Sequence, residues 1–205
     1  MTQRTSITID SVERLLDTLY LPAEYPGQQR FLCISEQEPL MPRLTHVLAR
    51  RMAERVPAKT MGVHMLGGLD WSSRQALVDS LIKAMQEAAP SLCARVPKRP
   101  NGNMLHKADV HLRWLMDPPD DVPDRVLTFL MTIPDYALRP DMRDFFFQFG
   151  ALISSSDHNW VVMASPKIVA FGTEDLAYMS PFHSYFEAYE LCFSLADLPE
   201  EDKMK

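Results

Sequence analysis

Hydrophobic and polar positions follow two rhythms along this chain. Val12, Leu15, Leu16 and Leu19 recur at three- and four-residue spacing after Asp10, whose carboxylate suits an N-cap. The spacing predicts a first helix that ends near Tyr20, ahead of Pro22 and Pro26. Residues 30–35 (RFLCIS) form a short apolar run of strand type. Leu40, Met41, Leu44, Val47, Leu48 and Met52 make the stripe of a second helix, stopped by Pro57. Residues 61–66 read as a strand closed by Gly67-Gly68. Ser72, with Gln75 three residues on, fits a capping box for a third helix carrying Leu77, Leu81, Met85 and Ala88 on one face. Strand and helix alternate, which is the pattern of parallel strands joined by crossovers.

The second half reads differently. The polar stretch PKRPNGN at 97–103 is a possible lobe boundary within one domain spanning 1–205, and residues 198–205 read as a frayed tail. Val110, Leu112, Trp114 and Met116 alternate with other positions, predicting a strand, and residues 125–133 predict another. Pro140 opens a helix whose face holds Met142, Phe145, Phe146 and Phe149. Residues 160–165 and 167–171 look like two strands turned at Pro166. Ser180-Pro181 would start a last helix with Phe182, Tyr185, Phe186, Tyr189, Cys192 and Phe193 on its apolar face. The expected fold is α/β, with α+β as the alternative. It has a mixed central sheet of about five or six strands with helices packed on it, and antiparallel hairpins in the C-terminal half.

Composition narrows the function classes. The 205 residues, 46% apolar and 23% charged, suit a globular chain with a sizeable core. Seven glycines against sixteen prolines leave little material for a glycine-rich phosphate cradle, and neither G-x-G-x-x-G nor G-x-x-x-x-G-K-[ST] occurs. The N-terminal MTQRTSITID lacks the apolar run of a secretory signal, and no stretch reaches the ~18 apolar residues of a membrane span. Cys33, Cys93 and Cys192 are far apart and fit free thiols in a reducing compartment. A soluble cytoplasmic protein without membrane contact is therefore expected. The net charge of -6 is uneven: -3 up to Pro39, +7 from Leu40 to Leu115, and -10 beyond. The basic middle either faces acidic parts of the fold or offers a surface to an acidic partner.

Candidate chemistry is sparse. Arg51 and Arg55 continue the apolar stripe of the second helix. Two guanidiniums at that spacing suit a carboxylate or phosphate, or else their stems cover apolar surface while the charges reach outward. His64, Asp70 and Trp71 flank Gly67-Gly68 at the carboxyl end of a predicted strand, where open α/β sheets bind ligands. The competing reading is a plain chain turn with Trp71 plugging the core edge. The six histidines form no ligand-spaced pair, the acidic loop at 117–124 lacks a calcium-loop pattern, and no G-x-S-x-G elbow is present. No metal and no cofactor are expected. Ser154 to Asp157-His158 contains triad residue types but reads as a polar loop. Phe147 falls off the Phe145, Phe146, Phe149 stripe and belongs either to the core or to an interface. The expected function is recognition of another macromolecule, a protein in an inhibitor, immunity-type or adaptor role, without catalysis. The rival is an enzyme acting on a phosphorylated or carboxylated substrate, with Arg51 and Arg55 as clamp and His64 or Asp70 in proton transfer. A nucleic-acid binder using the basic middle is the third class.

Overall fold

Three apolar runs, RFLCI, VLTFLMTI and NWVVMA, become neighbouring strands covered on both faces, as continuous hydrophobic strands of parallel sheets are. The computed structural model describes residues 7–19, 29–55, 61–88, 126–154, 158–171, 186–198 and 200. In chain order the elements are β1 (Ile7–Ile9), α1 (Val12–Leu19), β2 (Arg30–Ile34), α2 (Leu40–Arg55), β3 (Met61–Met65) and α3 (Arg74–Ala88). They continue with β4 (Val126–Ile133), α4 (Arg143–Ser154), β5 (Asn159–Ala164), α5 (Lys167–Ala170) and β6 (Glu187–Leu191). The six strands form one sheet in the order β1-β6-β2-β5-β4-β3, with every pair parallel.

The period of two along each strand divides the core into two layers. Phe31, Cys33, Leu130, Val161 and Met163 face α1 and α2. Leu32, Ile34, Phe129, Met131, Trp160 and Val162 face α3, α4 and α5. Register stacks these residues in rows: Phe31, Val161 and Leu130 lie side by side on one face, and Leu32, Val162 and Met131 on the other. Crossovers through α1 and α2 step one way along the sheet on the first face. Those through α3, α4 and α5 step back on the second, so all share one hand.

Several expectations are corrected. The sheet is parallel throughout, not mixed, and the C-terminal half forms no antiparallel hairpin among the described residues. The predicted strand at 167–171 is the helical turn α5. Pro166 adopts φ -56° and ψ -20°, a helical geometry that launches a crossover instead of a hairpin. The helix expected after Ser180-Pro181 is, where described, the strand β6. Its aromatic spacing fits a helical stripe, but the slot between β1 and β2 takes an extended segment in which Tyr189 and Leu191 are buried on one face while Glu187 and Glu190 stay exposed. Residues 181–185, the strand predicted at 110–116 and the boundary at 97–103 lie outside the described residues. Both predicted caps shift by one residue. Ser11, not Asp10, accepts the Arg14 N–H (3.3 Å), and Ser73, not Ser72, accepts the Ala76 N–H (3.1 Å). β1 had no counterpart in the sequence reading, because a three-residue strand shows no measurable period. No helix among the described residues is long and apolar enough to cross a membrane.

Candidate functional site

In an open parallel sheet the carboxyl ends of the strands gather the loops, and a crevice opens where neighbouring strands send their chains to opposite faces. Here that point lies between β2, which leads to α2, and β5, which leads to α5 on the other face. A cleft of about 850 Å³ opens there over the ends of β2 and β6, with Ser35, Glu36, Glu190, Leu191 and Phe193 among its walls. A second, smaller recess of about 340 Å³ lies farther along the same edge, over β3 and β4. Trp71, Leu66 and Thr45 are buried in its wall, and the Gly67-Gly68 turn forms part of its rim. Gly68 has φ +67°, a left-handed conformation that glycine adopts without the steric cost of a Cβ. Two of the recess's hydroxyls, Thr45 and Thr132, hydrogen-bond each other at 2.9 Å and are thereby satisfied.

Asp135 stands on the divide between these two hollows. Its chain neighbours Pro134 and Tyr136 line the recess. Its carboxylate accepts the Ser165 hydroxyl and the Lys167 ammonium, which flank Pro166 on the wall of the cleft. Those bonds, from Lys167 first and Ser165 second, hold the Asp135 carboxyl below its ordinary value of 3.8 against the opposing effect of burial. Ser165 is only 5% exposed. Asp135→Ala therefore strands a buried hydroxyl and is expected to cost about 1–3 kcal/mol in urea unfolding. Asp135→Asn keeps an acceptor oxygen and should restore most of it, since the Lys167 side chain is 70% exposed and its ion pair adds little. An asparagine variant as unstable as the alanine one would mean the charge, not the acceptor, carries the link. A depressed folded-state pKa stabilises fully above the unfolded value and is lost as pH falls through the folded one. The wild-type advantage over Asp135→Asn should accordingly be full above pH 3.8, shrink as pH falls below it, and vanish once pH falls through the lower folded-state value.

The sequence-predicted site residues do not converge. Arg51 and Arg55 point from α2 toward α1, as their place on the apolar stripe implies, but carboxylates of α1 already meet them. Arg51 pairs with Glu13, while Arg55 reaches Glu13 Oε2 at 2.7 Å and Asp17 Oδ1 at 2.9 Å. Part of the basic middle is thus paired with the acidic N-terminal segment. His64 lies on the sheet face, half-buried against Phe129 at 6.3 Å, and burial lowers its pKa so that the neutral imidazole is favoured near pH 7. Asp70 closes a turn: its Oδ1 accepts the Ser72 N–H at 2.9 Å, its own N–H donates to Ser80 Oγ at 2.9 Å, and the Ser72 bonds hold its carboxyl below the usual range. Trp71 stacks on Phe146 at 5.9 Å and 12°, plugging the core while its edge faces the recess. Phe147 is half-buried on the flank of α4. His158 is buried, with its Nδ1 accepting the Leu127 N–H at 3.3 Å. Burial raises the Cys33 thiol to about 12, leaving it an inert core group.

Sequence reasoning missed Ser35, Glu36, Tyr136, Asp135, Ser165 and Lys167. A signal existed: each follows an apolar run within a few residues, where a buried parallel strand delivers its first polar side chains to the carboxyl edge. The loop leaving β2 (SEQEP) holds neither glycine nor lysine, and its Glu36 and Glu38 answer the positive end of the α2 dipole, so the usual place for a phosphate is acidic. Fold and site together define a doubly wound, parallel α/β domain with hollows along its carboxyl edge and no phosphate-binding loop at its switch point. No protein-family model matches the chain, and no curated protein matches it.

Proposed function

We propose that the protein is a recognition domain that docks a partner protein at the carboxyl edge of its sheet, through the apolar recess over β3 and β4, without bond chemistry at that site. The observation that carries this reading is a pair of large apolar side chains held out to solvent around a preformed hollow. Tyr136 is 61% exposed and Met65 41% exposed, and both line the recess whose wall includes the buried, stacked Trp71. Aromatic and methionine side chains around a rigid hollow have the composition of binding hot spots. The paired state of Arg51 and Arg55, and the separate packing of His64 and Asp70, favour this reading over an anion-clamp enzyme.

Site-specific photo-crosslinking tests it. A benzoylphenylalanine in place of Tyr136, activated in the producing cell, should yield a discrete heavier adduct that disappears when Met65→Asp is added. The same group in place of Lys83, on the solvent side of α3, should yield none. Equal adducts from both positions, or none from position 136, would reject docking at the recess.

A further inference from the structure

Independently of partner docking at the recess, we propose that the larger cleft at the β2/β5 switch binds a small organic cation: an amine carrying an apolar body and a hydrogen-bond acceptor. The volume of about 850 Å³ matches a small-molecule site, and its place on the sheet is the one where open α/β folds take ligands. Its chemistry then sorts the ligands. Glu36 and Glu190 line the walls and make them acidic, and Glu36 forms no ion pair among the described residues. Ile34, Leu191 and Phe193 supply an apolar surface for the ligand body.

Nearby positive charge is already answered. Lys167, next to Pro166 in the wall, is bonded to Asp135, and Glu38 also favours its charged form. Glu36 and Glu38 precede the first turn of α2 and offset the partial positive charge there, so an anion finds no counter-charge. An ammonium group gains where a phosphate or carboxylate would be repelled.

Ser35 adds a directional element. It is 1% exposed and lines the cleft, and its Oγ accepts the Gln37 N–H at 3.1 Å while its own O–H donates to nothing among the described residues. A buried donor lacking an acceptor is costly, so an acceptor on the ligand, such as a phenol oxygen, would be favoured. Ser35→Ala, which puts a hydrogen in place of that hydroxyl, would remove the bond.

Titration of the 205-residue chain with tyramine, followed by backbone amide NMR shifts, tests the site. The opposite-charge control is 4-hydroxyphenylacetate. The expected result is a tyramine Kd of about 1 mM or tighter, with shifts centred on Ser35, Glu36, Glu190 and Cys192. The carboxylate analogue should bind about tenfold more weakly or not at all. Glu36→Gln should weaken tyramine about tenfold while lowering the melting temperature by no more than about 4 °C, the loss of its interaction with the α2 dipole, and Ser35→Ala should weaken it several-fold. Equal affinity for both probes would show that the cleft reads the ring and not the charge, and would overturn the proposal. So would shifts centred elsewhere, or none with tyramine at about ten times the expected Kd.

Discussion

Replacing Phe129 by alanine will lower the melting temperature by about 6–20 °C, the equivalent of about 3–5 kcal/mol for a chain of this size. Phe129 is fully buried in β4, with its ring 4.9 Å from Trp160 on β5, 5.6 Å and edge-on to His158, and 6.3 Å from His64 on β3. It joins three adjacent strands on the face covered by α3 and α4. Deleting the ring leaves a cavity that neighbours on a hydrogen-bonded sheet cannot close, because the strand spacing is fixed. Phe129→Leu refills most of the volume and should cost markedly less. A calorimetric scan in which alanine and leucine melt together would show that the ring is not the packing element described here.

Trp71→Ala is expected to be about as damaging, at roughly 3–5 kcal/mol, and it separates two roles of one residue. Trp71 stacks on Phe146 of α4 and also walls the recess. Trp71→Phe should retain the stack and much of the stability. In the crosslinking experiment, measured below both melting temperatures, the adduct from position 136 should persist with phenylalanine and fall with alanine, whose enlarged hollow loses shape complementarity. If alanine melts like wild type, Trp71 is not part of the core. If it melts early yet crosslinks normally, the recess wall does not contribute to docking.

How much of this could be read from the chain differs by element. α1, α2, α3 and α4 were legible because their stripes are long enough for the helical period to show, and β2, β3, β4 and β5 because dense apolar runs of strand length have few other uses. β6 misled for a specific reason. Phe186, Tyr189 and Phe193 satisfy helical spacing, and Tyr189 and Leu191 satisfy a strand facing one layer; neighbours in the sheet decide between the two. The turn at Pro166 was ambiguous in the same way, since proline suits both a tight turn and the start of a helix.

The candidate site was less legible than the fold. The angular placement of Arg51 and Arg55 on α2 was correct in direction, but their partners Glu13 and Asp17 are 38 to 42 residues away in sequence. Ser35, Asp135 and Ser165 each look ordinary in their own segments, and the cleft exists only because β5 inserts beside β2 in the sheet.

By itself the sequence determined the alternation of apolar strands with amphipathic helices, the shortage of glycine for phosphate loops, and the uneven charge. These are local properties, fixed by spacing and composition. Tertiary structure alone decided that all six strands run parallel, that β2 and β5 meet at the switch point, and that Ser35, Glu36 and Glu190 share one cleft. Strand order sets those neighbours. A buried parallel strand is apolar on both faces, so its residues record that it is covered and leave unrecorded which strand lies beside it.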